Sequence, residues 1–151
     1  MTNWQFVLIY IFAFVAFVFF VRGYYECKYR KNTHGTFLPI NIIGAFVWAD
    51  AVVFGIFWVI GAVISLVLQD WILFLLIYCV FWGVRGLGET LYWLNQQYSD
   101  KVRNPVERFP RLLKIFHNDS IWFVYQIYWQ CIMVISIIAS IYLGNKWLNR
   151  L

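Results

Sequence analysis

Four long apolar runs, separated by two polar loops and one very short turn, dominate the pattern of the chain. The first, from about Trp4 to Val21, is aliphatic and aromatic throughout: Phe6, Ile9, Phe12, Phe14, Phe17, Phe19 and Phe20 leave it no polar face. The second runs from about Ile40 to Leu68, the third from about Trp71 to Leu94 and the fourth from about Ile121 to Leu143. Each reaches at least the roughly 17 residues that a helix needs to cross a bilayer. None shows the strict alternation of a half-buried strand. The pattern predicts an all-α membrane protein, one integral membrane domain over 1–151 built as a bundle of four transmembrane helices.

The spacing of the runs refines this picture. Only Leu68-Gln69-Asp70-Trp71 separates the second from the third, so these two form a tight antiparallel hairpin. The second run is long for one crossing and must tilt or begin in the interface. Its Gly44, Gly55 and Gly61 permit close approach of neighbouring backbones. The first helix, lacking a polar face, reads as peripheral and lipid-facing. Met1-Thr2-Asn3 carries no basic segment and Val21 is followed by Arg22 without a small-x-small site, so the first run reads as a retained span.

The polar segments set the topology. Arg22 to Pro39 holds Arg22, Glu26, Lys28, Arg30, Lys31 and His34, with Tyr24, Tyr25 and Tyr29 interleaved. Such a mixture fits an anchor at the level of anionic lipid headgroups. Tyr98 to Ser120 is punctuated by Pro105 and Pro110; within it, Arg111 to His117 reads as a short interfacial helix with Leu112, Leu113 and Phe116 dipping inward. Asp119 or Ser120 would cap the last helix. Lys and Arg number four in the first loop, five in the second and two at the C-terminal end, with Arg85 inside a span. This nine-to-two bias places both large loops in the cytoplasm, and both termini and the Gln69 turn outside, in the cytoplasmic membrane.

Composition agrees. Hydrophobic residues make up 63% of the chain and charged ones only 13%, where a soluble domain carries about 25% charged residues. Aromatics reach 23%, too many for interfacial belts alone. The net charge of +5 lies in the loops, which makes it a topology signal rather than a footprint for nucleic acid. Cys27, Cys79 and Cys131 are widely separated, with neither disulfide nor metal-ligand spacing, and no cofactor motif is evident.

Candidate chemistry lies in Trp82 to Gln97, where Arg85 and Glu89 sit four apart on one helical face. Charges inside a bilayer are costly and turn towards protein or water. At ~1.5 Å of rise per residue, hairpin positions whose numbers sum to roughly 139 share a depth, which sets Asp50 opposite Glu89. Gln126 and Gln130 fall ~9 and ~15 Å inside the cytoplasmic end of the fourth span, as do Glu89 and Arg85 in the third. Asp50, Arg85, Glu89, Gln126 and Gln130 thus form one candidate layer, walled by Trp48, Trp82, Tyr92, Trp93 and Trp129. Two carboxylates and one guanidinium leave a surplus negative charge, to be met by a proton, a cation or water.

Three functions fit such a layer. The first is a small transporter or channel-like protein for a proton, cation or small polar solute, in a homo-oligomer or a larger membrane complex. The alternative is a non-transporting accessory or assembly subunit in which Arg85 clamps the carboxylates. The third is a membrane-embedded lipid or quinone enzyme, which the aromatic walls suit but no His-Glu-x-x-His, Gly-x-Ser-x-Gly or phosphate-loop motif supports. His34 and His117 lie in loops and read as solvated.

Overall fold

A computed structural model of the chain describes residues 1–100, 104–117 and 120–150, with the backbone alone at Arg108. Helix α1 spans Asn3–Lys28, α2 Trp48–Val67, α3 Trp71–Tyr98 and α4 Ser120–Leu148. Short 3₁₀ turns occupy Leu38–Ile43, Val106–Arg108 and Leu112–Lys114. There is no strand among the described residues. All four helices are long and apolar enough to cross a membrane, the architecture of a multi-pass integral membrane protein. Packing divides the chain into two compact units, Met1–Ile77 and Tyr78–Leu151.

In the first unit, α1 lies along α2 through small residues. Ile9, Ala16 and Gly23, seven apart, are buried on α1; Ala51, Gly55, Trp58 and Ala62 are buried on α2. A seven-residue spacing keeps one stripe of a helix against its neighbour over several turns. The backbones touch at two places. A methyl group on Gly55 would lie 2.7 Å from Phe20 Cβ and 2.9 Å from the Ala16 carbonyl oxygen, and one on Gly23 would lie 2.9 Å from the Trp48 carbonyl oxygen. The first helix therefore has a buried face after all, made by size rather than polarity, while Tyr10, Ile11, Phe14 and Phe17 stay exposed. Towards the hairpin turn, Phe12 meets Trp58 and Phe74 edge-on at 5.1 and 5.7 Å.

The second apolar run is not one helix. Leu38–Ile43 forms a 3₁₀ turn with Pro39 in its first positions, and Gly44 ends it at φ 75. Proline suits a helix start, and glycine takes this left-handed turn without a Cβ penalty. The run's excess length is thus absorbed before α2 begins at Trp48. The amides at the start of a helix have no partner within it. Here Trp48 N–H donates to the Gly35 carbonyl and Ala49 N–H to the Thr33 carbonyl, both at 3.1 Å. The buried Trp58 indole N–H donates to the Ile43 carbonyl at 3.0 Å and ties the 3₁₀ turn to α2. At the other end, Asp70 Oδ1 accepts from Ile72 and Leu73 N–H at 2.9 and 3.1 Å, so this turn residue caps α3. A methyl on Gly61 would lie 3.3 Å from Ile77 Cγ2, the pairing that a hairpin sum of roughly 139 requires.

In the second unit, α3 and α4 run antiparallel and their backbones come close at Gly86. A methyl there would lie 3.1 Å from the Met133 backbone, and one on Gly83 would meet Ser136 and Ile137. The connection between them is tied down by Asn104. Its N–H donates to Gln96 Oε1 at 3.3 Å, its Nδ2 to the Tyr92 hydroxyl at 2.6 Å, and its carbonyl accepts from the Trp122 indole at 2.9 Å. The interfacial helix expected over Arg111 to His117 is only the 3₁₀ turn Leu112–Lys114. Asp119, an expected cap, lies outside the described residues, and α4 starts at Ser120.

Candidate functional site

The polar face of α3 repeats every three or four residues: Trp82, Arg85, Gly86, Glu89, Trp93, Gln96 and Gln97 share one side. Glycine at position 86 lets α4 close on that side. Aromatic stacks then wall it. Trp82 stacks on Trp129 with ring centroids 6.4 Å apart and planes within 11°. Trp93 stacks on Tyr125 at 4.5 Å, with Phe109 edge-on to Trp93 at 6.0 Å. Tyr92 meets Trp93 at 5.4 Å. At the end of the face, Gln97 Nε2 donates to Gln126 Oε1 at 2.6 Å and to the Trp93 carbonyl at 3.2 Å.

Between these walls Arg85 Nη2 lies 2.9 Å from Glu89 Oε1, with only 16% and 14% of the two side chains exposed. A direct pair of opposite charges limits the cost of placing either in a poorly hydrated setting. The close approach of Gly86 to Met133 sets Gln130 level with Glu89, and Gln126 level with Trp93. Gln126 and Gln130, expected level with Glu89 and Arg85, thus each sit about one helical turn away from that register.

Three further groups give the face its chemistry. Among the described residues, the Trp82 and Trp93 indole N–H groups and the Thr90 hydroxyl are buried without a hydrogen-bond partner. Leaving one such group unsatisfied costs about 1–3 kcal/mol. All three can donate, and all lie on α3 within three turns of the ion pair. The arrangement suits an occupant that carries acceptor atoms, water included.

Asp50 belongs to the first unit. It stands in the first turn of α2, where its carboxylate accepts Phe46 N–H at 3.1 Å and faces the positive end of the helix dipole. The negative charge that the sequence count left over therefore has local compensation at a helix start. Trp48, beside it, stacks on Phe37 at 5.7 Å.

Several residues escaped the sequence reading. Gln97 follows the third apolar run and Asn104 falls in the second loop, and neither was placed in the candidate layer, yet both make side-chain bonds across the second unit. Glu26 read as a loop residue because the first span appeared to end at Val21. In the structure α1 continues to Lys28 and Glu26 is 2% exposed. Its Oε1 faces Arg22 Nη2 at 2.7 Å and Arg30 Nη1 at 3.4 Å, and its Oε2 accepts from Asn32 Nδ2 at 3.5 Å. The spacing 22, 26, 30 was the available signal. Among the described residues no three His, Cys, Asp or Glu side chains are placed to hold a metal ion. No protein-family model, curated protein or solved structure matches the chain.

Proposed function

We propose that the protein is a small transporter or channel-like protein that handles a proton, cation or small polar solute at the polar face of α3 and α4. Its two basic loops face the cytoplasm and its membrane is the cytoplasmic membrane, in keeping with the excess of Lys and Arg in those loops. The observation that carries the reading is the set of buried donors, Trp82 Nε1, Thr90 Oγ1 and Trp93 Nε1, that have no partner among the described residues and stand on the helix that bears the Arg85–Glu89 pair. Arg85 supplies a fixed positive charge. Glu89 can take a proton and so loosen the pair. The indole and hydroxyl donors orient water or a solute acceptor, in a setting where low polarity strengthens each hydrogen bond. At this size, further copies or subunits would complete a pathway.

A second reading, an accessory subunit that assembles with other membrane proteins, draws on a different observation. The Arg85–Glu89 contact is direct, and Asp50 is engaged at the start of α2. Flux through proteoliposomes separates the two. The first reading expects proton or monovalent-cation flux above that of empty vesicles. It also expects Trp93→Phe to change that flux while its thermal unfolding stays near that of the wild type, and Glu89→Gln, which removes the charge opposite Arg85 and lowers stability, to change flux in protein that remains folded and inserted. No flux from correctly inserted wild type would overturn it in favour of the accessory reading, under which Arg85→Ala abolishes co-purification with partner subunits.

A further inference from the structure

We infer that the C-terminal end of α1 binds the phosphate of an anionic phospholipid headgroup. This inference concerns the first unit and is independent of the reading of α3 and α4. The site is built on Glu26. Because α1 continues to Lys28, Arg22, Glu26 and Arg30 fall on one side of it, four residues apart. Glu26 is buried, and the guanidinium groups of both arginines converge on its Oε1, while their side chains remain 52% and 58% exposed. Tyr25 orients the same two groups: each guanidinium carbon lies 5.8 Å from its ring centroid.

One carboxylate neutralises one guanidinium. The second charge remains, and each guanidinium has five N–H donors, of which Glu26 engages a minority. Lys28 and Lys31 add two more cations at the same end of the helix. Lys28 is directed by Tyr24, whose hydroxyl lies 2.8 Å from its ammonium nitrogen, and lies 5.4 Å from the Tyr29 ring centroid. Four cations thus stand against one buried carboxylate, with two of them preset to present a fork of donors. A fork of this kind matches phosphate geometry.

The surroundings favour a lipid over free phosphate. Tyr24, Tyr25 and Tyr29 are exposed around this charged helix end, just beyond the apolar stretch of α1, the position that amphipathic rings take at headgroup level. The neighbouring 3₁₀ turn holds Ile40 and Ile43 inward and turns Leu38, 81% exposed, and Ile42 outward. Bonded to α2 through Trp58, it forms an apolar knob suited to the acyl region below the headgroups. Neutralisation of Glu26 alone would account for one arginine but not for two and a pair of lysines.

Native mass spectrometry of the purified full chain with phosphatidylglycerol and phosphatidylcholine of matched acyl chains tests the site. The wild type is expected to retain phosphatidylglycerol at least fivefold over phosphatidylcholine. The combined Arg22→Gln, Glu26→Gln, Arg30→Gln variant, which removes the buried carboxylate charge together with its partners, should lose that preference. Lys28→Gln with Lys31→Gln, which leaves Glu26 and both arginines in place, should reduce it two- to threefold. Lys146→Gln with Arg150→Gln, at the chain's other basic end, should leave it intact. Equal retention of the two lipids by the wild type, or an unchanged preference in the triple variant, would overturn the inference. So would displacement of the lipid by millimolar inorganic phosphate, which would mark a soluble-phosphate site.

Discussion

Replacing Gly55 with alanine tests the packing of α1 on α2 most directly. The added methyl would meet Phe20 Cβ at 2.7 Å, the Ala16 carbonyl oxygen at 2.9 Å and Phe20 Cα at 3.0 Å. Carbon atoms pack best at roughly 3.5–4.0 Å. Two of the three obstacles are backbone atoms, so no side-chain rotation relieves the contact and the helices must part locally by roughly 1 Å. A gap of ~0.5–1 Å forfeits a quarter to a half of the dispersion energy of each atom pair it opens. Overpacking of this kind costs about 1–3 kcal/mol. Alanine's higher helix propensity returns about 0.8–1 kcal/mol. The net expectation is a loss of about 0–2 kcal/mol relative to the wild type, and about 1–3 kcal/mol relative to an alanine placed where there is room. Two other glycines serve as internal controls. At Gly61 the nearest atom is the Ile77 Cγ2 methyl at 3.3 Å, a side-chain contact that needs only a small adjustment, and at Gly88 nothing lies within 4 Å. Both alanine variants should unfold at or slightly above the wild-type midpoint. Reversible unfolding from bicelles by titration with dodecyl sulfate, followed by tryptophan fluorescence, gives the ranking. If Gly55→Ala is tolerated as well as Gly88→Ala, the small-residue seam is not where the helices meet.

The remaining predictions concern buried polar pairs. Arg85→Ala or Glu89→Ala should each cost about 2–4 kcal/mol, somewhat below the range for breaking a fully buried ion pair because both side chains keep some exposure. Arg85→Met with Glu89→Leu should recover most of that loss in a double-mutant cycle, and additivity of the two single changes would refute direct pairing. Trp58→Phe leaves the buried Ile43 carbonyl without its donor, which should cost about 1–3 kcal/mol. Hydrogen exchange at Gly44 and Ala45 should rise with it, and unchanged exchange there would argue against the indole as the tie.

Much of the architecture is legible because hydropathy reports what a bilayer demands. Four apolar runs became four helices, and the three-residue turn before Trp71 became a hairpin. The Arg85–Glu89 contact followed from their spacing alone. Hydropathy is silent where a helix continues beyond the apolar layer. Arg22 to Lys28 looks like a loop by polarity yet completes α1, and only the 22, 26, 30 spacing hints otherwise. It is equally silent where an apolar run breaks, and the interruption before Trp48 is signalled by Pro39 and Gly44 rather than by any change in polarity. Asp70 directly ahead of an apolar run is a capping signature. The seven-residue recurrence of Ile9, Ala16 and Gly23 went unread because it encodes size. On the candidate face, Trp82 and Trp93 were expected near the charged pair because they lie close to it along α3, and Trp129 was expected near Gln130, but the stacking of Tyr125 on Trp93 was not. The roles of Gln97 and Asn104 depend on how α4 and the preceding loop return to α3, which no local pattern specifies.

The start of α2 has a consequence for the membrane itself. With 20 residues, α2 is ~30 Å long, close to the ~30 Å hydrocarbon thickness of a typical bilayer. Helices α1, α3 and α4, with 26, 28 and 29 residues, reach ~39 to 44 Å and can tilt or shift without exposing apolar surface. Helix α2 has no such slack. It is closed at one end by the Thr33 and Gly35 carbonyls and at the other by the Gln69 turn, where φ is 51. It acts as the gauge of the protein. A bilayer a few ångströms thicker or thinner would load its hydrophobic mismatch on the ends of α2 first, so stability should peak in lipids whose core matches this one helix.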